Sequence, residues 1–447
     1  LLLAPWVALF GRNVVALKLF SVVLAVGSVA VFSLLARRIM PPVAWAGLTL
    51  AAALNPVIVD YSHWVLSEIA FLFFSMLSLY LLVHSEERRK AAGWKQNRWF
   101  WLGVLSLSFT AHIRTIGLGF AIAGFAYYAL RRNWATLAVF TLAVSLLMAP
   151  WMVRNRIARQ DIEDGGYAHQ LLLKNPYNPE LGTVGVAGLA GRVARNIRIY
   201  GAGELARVVL GSESAQRWSV SVKIVSIIFS ILVLAGLVDR IVRGPGFLEI
   251  YFLVYIGVVL LWPEAWSDVR FVMPVVPLML LYSAGGVEAA IRLAGSGGSI
   301  AGRPAAAAAL VLALAGLGAQ VKRMPGNLSM IGGYLEGDRY AGYPAAWRHL
   351  FEAADWVIEN TPDSSVVTVR KPRLFYLHTG RKVDGYPFTT DRDSVYRSIR
   401  RTDYVVIDAV SGTTARYLVP AVREHMDRFQ VVFALKDPVT AVLELKR

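Results

Sequence analysis

The chain has 447 residues, 56% of them hydrophobic and only 17% charged, with a formal net charge of +16 and no cysteine. The absence of cysteine excludes disulfides, thiol nucleophiles and cysteine metal sites. Long apolar runs recur as far as about residue 321 and many arginines flank them, so the positive charge reads as membrane orientation and attraction to anionic lipid or lipid phosphate, not as nucleic-acid binding.

The opening LLLAPW has no methionine, basic n-region or cleavage site, so no signal peptide is visible. Residues 1–12 form a short apolar segment interrupted by Pro5 and Gly11. The first full span is expected over 14–36 and is closed by Arg37 and Arg38. Pro41 and Pro42 turn the chain into a second run that ends at Val59. A polar knot follows, with Asp60, Tyr61, His63, Trp64 and Glu68, before a third run over 69–83. The next loop, EERRKAAGWKQNR, carries five basic residues. By the positive-inside rule that loop and Arg37 and Arg38 are cytoplasmic, and the Asp60 to Glu68 loop is outside.

Residues 99–130 are ambiguous. As one helix they would span roughly 48 Å, against a hydrocarbon core of about 30 Å. A hairpin of two short or tilted helices returns Arg131 and Arg132 to the cytoplasm and leaves His112 and Arg114 at its outer tip, so the hairpin is expected. A span over 135–152 exits through APWMVRNR into a long outer segment reaching about residue 218. This segment holds NPYNPE and the basic amphipathic stretch GRVARNIRIYGAGELARVVL, expected to lie on the membrane surface. Further spans are expected over 220–238, 247–262, 271–291 and 305–321, with the outer loop PEAWSDVR between the second and third of these. The expected fold is thus a polytopic α-helical membrane protein of about ten spans. With that parity the visible N-terminus and the C-terminal region share the outer side, and an odd number of spans is expected upstream.

From about residue 342 the composition becomes soluble, after a linker over 323–341. PAAWRHLFEAADWVIENTP has helical spacing and a proline stop. SSVVTV and DYVVIDAV are buried-strand runs, and QVVFAL and TAVLEL close the chain around LKDPV. A small extracytoplasmic α/β domain over 342–447 is expected, behind a membrane domain over 1–322 in which 154–218 forms an outer loop with interfacial helices.

This topology gathers Asp60, His63, Glu68, Arg114, Arg154, Asp268 and Arg270 at the outer face, with Tyr61 beside them. Acids and arginines from separate loops suit a phosphate-linked substrate, because arginine presents a fixed, permanently charged fork. A carboxylate there can serve as general base or hold a metal ion. Each residue also has a local explanation. Ser67 and Glu68 suit a helix start, Arg114 can snorkel from a hairpin tip, and Asp268 with Arg270 can form a rim ion pair. Their convergence on one side carries the signal.

The run of YSHWVLSEIAFLFF, HIRTIGLGF, APWMVRN and DVRFVMPVVPLMLLYSAGG, followed by a soluble tail, resembles the GT-C superfamily of integral-membrane glycosyltransferases. The bacterial branch related to protein O-mannosyltransferases and the lipid A aminoarabinose transferase is the nearest in pattern. The resemblance implies transfer of a hexosyl or pentosyl unit from a polyprenyl-phosphate-linked sugar to an acceptor glycan, lipid or protein, with inversion, at the outer face of a bacterial inner membrane. It matches Ser67 and Glu68 to the second acidic motif, Arg114 to the hairpin-tip cation, and Asp268, Val269, Arg270 and Pro274 to a late outer loop. Glu68 and Asp60 are then the catalytic candidates. Arg114, Arg270, Asp268, Arg154, His63 and Tyr61 are the substrate-binding candidates, and a divalent metal ion, if one is used, belongs near Glu68. The principal general base of the family falls upstream of Leu1 in this comparison, which implies an N-terminally truncated and inactive fragment. Two readings outside this class stay open: a transporter or lipid flippase, which would bind at the midplane between related halves, and a membrane scaffold with a partner-binding tail.

Overall fold

The computed structural model describes residues 2–92, 97–158, 166–213, 218–295 and 302–446. The chain divides into two compact units, one of residues 1–171 with 185–322 and the other of residues 172–184 with 323–447.

The first unit is helical. Among the described residues, six helices are long and apolar enough to cross a membrane: Val14–Ala36, Ser67–Arg88, Trp134–Ile157, Val220–Val242, Val269–Leu293 and Arg303–Leu335. The bent pair Pro42–Ala53 and Pro56–Ser62 adds a seventh if it counts as one span. These helices make the chain a multi-pass membrane protein. Shorter apolar helices lie over Thr115–Leu130 and Phe247–Leu261.

Bulky apolar side chains on the outward faces, such as Ile224, Ile228, Ile231, Leu314 and Val321, are more than half exposed to the surroundings. They suit lipid, while Phe32, Phe71, Phe120, Tyr251 and Tyr282 fill the interior. Because lipid is as apolar as leucine, close backbone approach and hydrogen bonds hold such helices together. A Cβ on Gly236 would run into the Tyr282 carbonyl oxygen, and one on Gly286 into the Leu232 carbonyl oxygen, so this crossing requires glycine on both helices. Elsewhere Ser78 donates to the Phe74 carbonyl at 2.6 Å and to Ser106 Oγ at 2.9 Å, tying Ser67–Ala92 to Arg98–Ile113.

The charged ends sort the topology. Arg38 pairs with Glu87, Tyr127 donates to Glu86 at 3.2 Å, Arg131 donates to the Pro245 carbonyl at 3.3 Å, and Arg292 pairs with Asp239. Residues 99–130 therefore fold as two helices, Arg98–Ile113 and Leu118–Leu130, and bring Arg131 back to the end of the unit that holds Arg38. Arg114 sits in the break between them.

The last long helix runs to Leu335, into the stretch expected to be a linker, because Pro325 interrupts its hydrogen bonding without ending it. The stretch expected to lie on the membrane surface is helical and also packs on protein. Val186–Ile199 buries Arg192 and Asn196. Asn196 donates to the carbonyls of Leu260 and Trp262, both at 2.8 Å, so one face of this helix packs on protein.

The second unit is built on a five-stranded sheet of order β2-β1-β3-β5-β4, formed by β1 Val366–Thr368, β2 Lys382–Asp384, β3 Tyr404–Ile407, β4 Phe429–Leu435 and β5 Thr440–Leu445. β1 runs parallel to β2 and β3, and β5 is antiparallel to β3 and β4. Alternate side chains serve opposite faces. Val406 and Val442 pack with Leu350, Val357 and Phe375, while Val405 and Leu443 pack with Ile399, Leu418 and Val422. Leu172–Val184 belongs to this unit. Its Glu180 carboxylate accepts from the Thr390 amide at 2.5 Å, the Thr390 hydroxyl at 2.8 Å and the Thr389 hydroxyl at 3.2 Å.

Candidate functional site

Glu68 stands in the first turn of Ser67–Ala92, where a helix end favours an acid. Its side chain is fully buried, and one carboxylate oxygen pairs with both Arg114 and Arg270. The three residues lie far apart in the chain and on separate elements. A charge so placed costs several kcal/mol unless it is paired, and here two cations meet it. The set Glu68, Arg114 and Arg270 therefore carries a net positive charge.

Local structure sets each arginine. Arg114 is extended at the hairpin break, and its amide still closes the preceding helix on the Thr110 carbonyl at 3.1 Å. Its Nη1 also reaches Ser67 Oγ at 3.4 Å. Arg270 stands in the short helix Val269–Val272, capped by Asp268, whose Oδ1 accepts the Arg270 amide at 2.9 Å. Tyr255 donates to the Phe271 carbonyl at 2.8 Å and holds that helix from behind. The Arg270 side chain is 41% exposed, and only its Nε meets a protein partner among the described residues. Its two terminal nitrogens remain available as a planar fork.

A second charged group adjoins the first. Arg207 Nη1 lies 2.7 Å from Asp268 Oδ2 and 3.0 Å from Glu204 Oε2, and Glu204 is fully buried. Tyr61 stands within electrostatic reach of Asp268, Arg207, Arg270 and Glu68. The sequence does not single out Glu204 and Arg207, because the amphipathic stretch that carries them reads as an interfacial helix. The one signal there is the acid Glu204 in an otherwise basic run.

His63 and Arg154 meet other partners in the first unit. His63 accepts from Trp64 Nε1 at 3.1 Å and feels Asp60 and Lys18. Arg154 lies over the Trp151 ring at 5.0 Å and reaches Asn155 at 3.5 Å. No group of three His, Asp or Glu side chains that could hold a metal comes together among the described residues. Glu68 already faces two guanidinium groups, so the residues present do not fit a divalent cation there.

Residues 5–157 match the model of the family described as dolichyl-phosphate-mannose-protein mannosyltransferase. The matched region contains Asp60, Tyr61, His63, Glu68, Arg114 and Arg154, and it stops before Asp268 and Arg270. Together with the motifs, this match makes the chain similar to the GT-C membrane glycosyltransferases. No curated protein matches the chain.

Among solved structures, the chain is similar to the Archaeoglobus fulgidus oligosaccharyltransferase in its apo form, with a TM-score of 0.49 and 14% identity over 88% of this chain. It spans only 58% of that protein's length. It is also similar to ArnT from Cupriavidus metallidurans in the apo state, at a TM-score of 0.47 and 12% identity, covering 98% of this chain and 85% of ArnT. The same ArnT bound to undecaprenyl phosphate gives a TM-score of 0.43, with the same identity and coverage.

Proposed function

We propose that the chain serves the transfer of a sugar from a polyprenyl-phosphate-linked donor to an acceptor glycan, lipid or protein at the outer face of a bacterial inner membrane, with inversion at the anomeric carbon. One observation carries this reading. A buried glutamate and two arginines from three separate segments meet at one end of the helical unit, and among the described residues Arg270 meets a protein partner only through its Nε.

In the proposed reaction an acceptor hydroxyl attacks the anomeric carbon. The bond from that carbon to the phosphate oxygen breaks, its electron pair stays with the phosphate, and the hydroxyl proton passes to a base. Arg114 and Arg270 stabilise the charge gathering on the departing phosphate, while Glu68 holds both guanidinium groups in place. Preorganised donors of this kind are worth about 10² to 10³ in rate each. Asp60 and Tyr61 close the helix Pro56–Ser62, His63 begins the turn that leads on to Glu68, and Asp268 caps Arg270. Arg154, near the end of Trp134–Ala158, is assigned to contact with lipid headgroups.

The outer-face assignment is supported by the basic loops clustered at the opposite end, with Arg38, Arg131 and Arg292. About ten spans result if the bent pair, the two hairpin arms and Phe247–Leu261 all cross or nearly cross the bilayer, which their lengths permit only with local thinning of the bilayer or snorkelling of flanking residues. We assign the C-terminal α/β unit to the outer side on the same count.

The test titrates the purified chain in detergent with undecaprenyl phosphate and reads binding by native mass spectrometry. Arg114→Ala and Arg270→Ala are each expected to weaken binding by about ten- to a hundredfold, the worth of one charge-assisted hydrogen bond. Unchanged affinity in both variants would remove the phosphate site and the reading built on it.

A further inference from the structure

Resting on that reading, we infer that Glu204 and Arg207 are positioning residues for Arg270: they lock the turn that aims its guanidinium at the donor phosphate. The turn at 268–270 is not stiffened by the body of Val269–Leu293, because Val269–Val272 is a single helical turn set off from it by the tighter turn Met273–Val275. Two carboxylates fix it instead. Glu204 Oε2 accepts the Val269 amide at 3.1 Å, and Asp268 Oδ1 accepts the Arg270 amide at 2.9 Å. Arg207 Nη1 then joins the two acids, at 3.0 Å from Glu204 and 2.7 Å from Asp268. Two consecutive backbone amides are thus tied to one ion network, immediately before the side chain that pairs with Glu68.

The backbone that supplies Glu204 is itself unusual. Tyr200–Glu204 is a π-helical turn, in which the Leu205 amide bonds five residues back to the Tyr200 carbonyl at 3.1 Å. Such turns are rare and concentrate at functional sites. Serines on the neighbouring span add hydrogen bonds to carbonyls of this turn. Ser226 donates to Tyr200 at 3.2 Å, and Ser230 donates to Gly201 at 3.1 Å. Glu204 is fully buried, so its charge is stable only when its partners are in place. Methionine, an apolar residue of similar size, would pack the same space without that cost, but it could not hold the Val269 amide.

The experiment uses the full chain in detergent and reads the dissociation constant of undecaprenyl phosphate for Glu204→Met, Arg207→Gln, Arg270→Ala and the double variants. Each positioning variant is expected to weaken binding about tenfold by releasing the turn. In an Arg270→Ala background neither should weaken it further, because no guanidinium is left to aim. Additive losses would mean that Glu204 and Arg207 stabilise the fold without positioning Arg270, and would overturn the inference. So would unchanged affinity in Glu204→Met and Arg207→Gln while Arg270→Ala weakens binding. Arg207 is 19% exposed at its side chain, so its variant is the safer of the two if Glu204→Met does not fold. Unchanged binding in Arg270→Ala itself is the separate result that sinks the donor site.

Discussion

Replacing Glu68 by glutamine keeps the shape of the side chain and removes the one negative charge that two arginines share. Breaking a fully buried pair costs about 3–5 kcal/mol, because an uncompensated charge stays behind. Here the charges left behind are Arg114 and Arg270, which are 19% and 41% exposed. Both can turn toward water or headgroups, so the cost falls to roughly 2–3 kcal/mol. The ligand-free variant should therefore melt several degrees below the parent in detergent. Undecaprenyl phosphate supplies the missing negative charge, and at a separation of about 4 Å one such charge interacts with a guanidinium by roughly 4 kcal/mol near a protein surface. Saturating lipid phosphate should thus raise the melting temperature of Glu68→Gln by more than it raises that of the parent. Glu68→Asp retains the charge on a shorter arm and should fall between them. Differential scanning fluorimetry with and without the lipid reads both quantities. A lipid-induced rise in Glu68→Gln equal to or smaller than the parental one would refute the claim that the two arginines face a phosphate.

Three further outcomes follow from other parts of the structure. Gly236→Ala should destabilise the helical unit by about 1–3 kcal/mol, because its Cβ collides with the Tyr282 carbonyl oxygen, whereas Gly257→Ala meets nothing within 4 Å and should leave the melting temperature nearly unchanged. Thr390, through its amide and then its hydroxyl, holds the Glu180 carboxyl below the usual carboxylate range. The stabilisation is present above the ordinary glutamate value of about 4.3 and is lost as pH falls through the depressed folded value. Exchange at the Lys174 and Val184 amides, corrected for intrinsic rate, should accelerate only at the acid end, and Glu180→Gln should accelerate it at all pH. Burial raises the Asp408 carboxyl above its usual value, against the opposing hydrogen bonds from Val410 and Thr414. The folded state then binds that proton more tightly, so stability falls as pH rises through the window just above the ordinary aspartate value of about 3.9. Asp408→Asn keeps an acceptor for the Val410 amide and should raise the unfolding midpoint of the C-terminal unit at neutral pH, and an unchanged or lower midpoint counts against the burial argument.

The parts of the fold that can be read from the chain are those where one short-range rule dominates. Val14–Ala36 is a largely apolar run between Asn13 and Arg37, with Lys18 its one charged residue, and helix and run coincide. The hairpin at 98–130 follows from the distribution of charge alone, since Arg131 must rejoin the other basic ends. Strands β1, β3, β4 and β5 fall on β-branched runs, but β2, Lys382–Asp384, has no such run, and its pairing with β1 decides it. Leu172–Val184 shows no pattern that assigns it to the C-terminal unit, because a few hydrogen bonds to Thr389, Thr390 and Tyr417 hold it there.

The same distinction runs through the candidate site. A charge beside an apolar run is conspicuous because lipid raises its cost, so Glu68, Arg114 and Arg270 stand out in the amino-acid sequence alone. Sequence position does not say whether that cost is met by a partner or avoided by exposure. Arg154 has the same signal and avoids it, lying exposed over Trp151. Glu204, Arg207 and Asn196 show the opposite failure. They lie in a polar, amphipathic stretch where a charge is expected to cost little, yet Glu204 and Asn196 are fully buried. Several of their partners, the Val269 amide and the carbonyls of Leu260 and Trp262, are backbone groups with no side-chain signature. A buried polar residue matched to backbone is therefore silent in sequence whatever its importance. That is why the charged half of the site could be read and the network proposed to aim it could not.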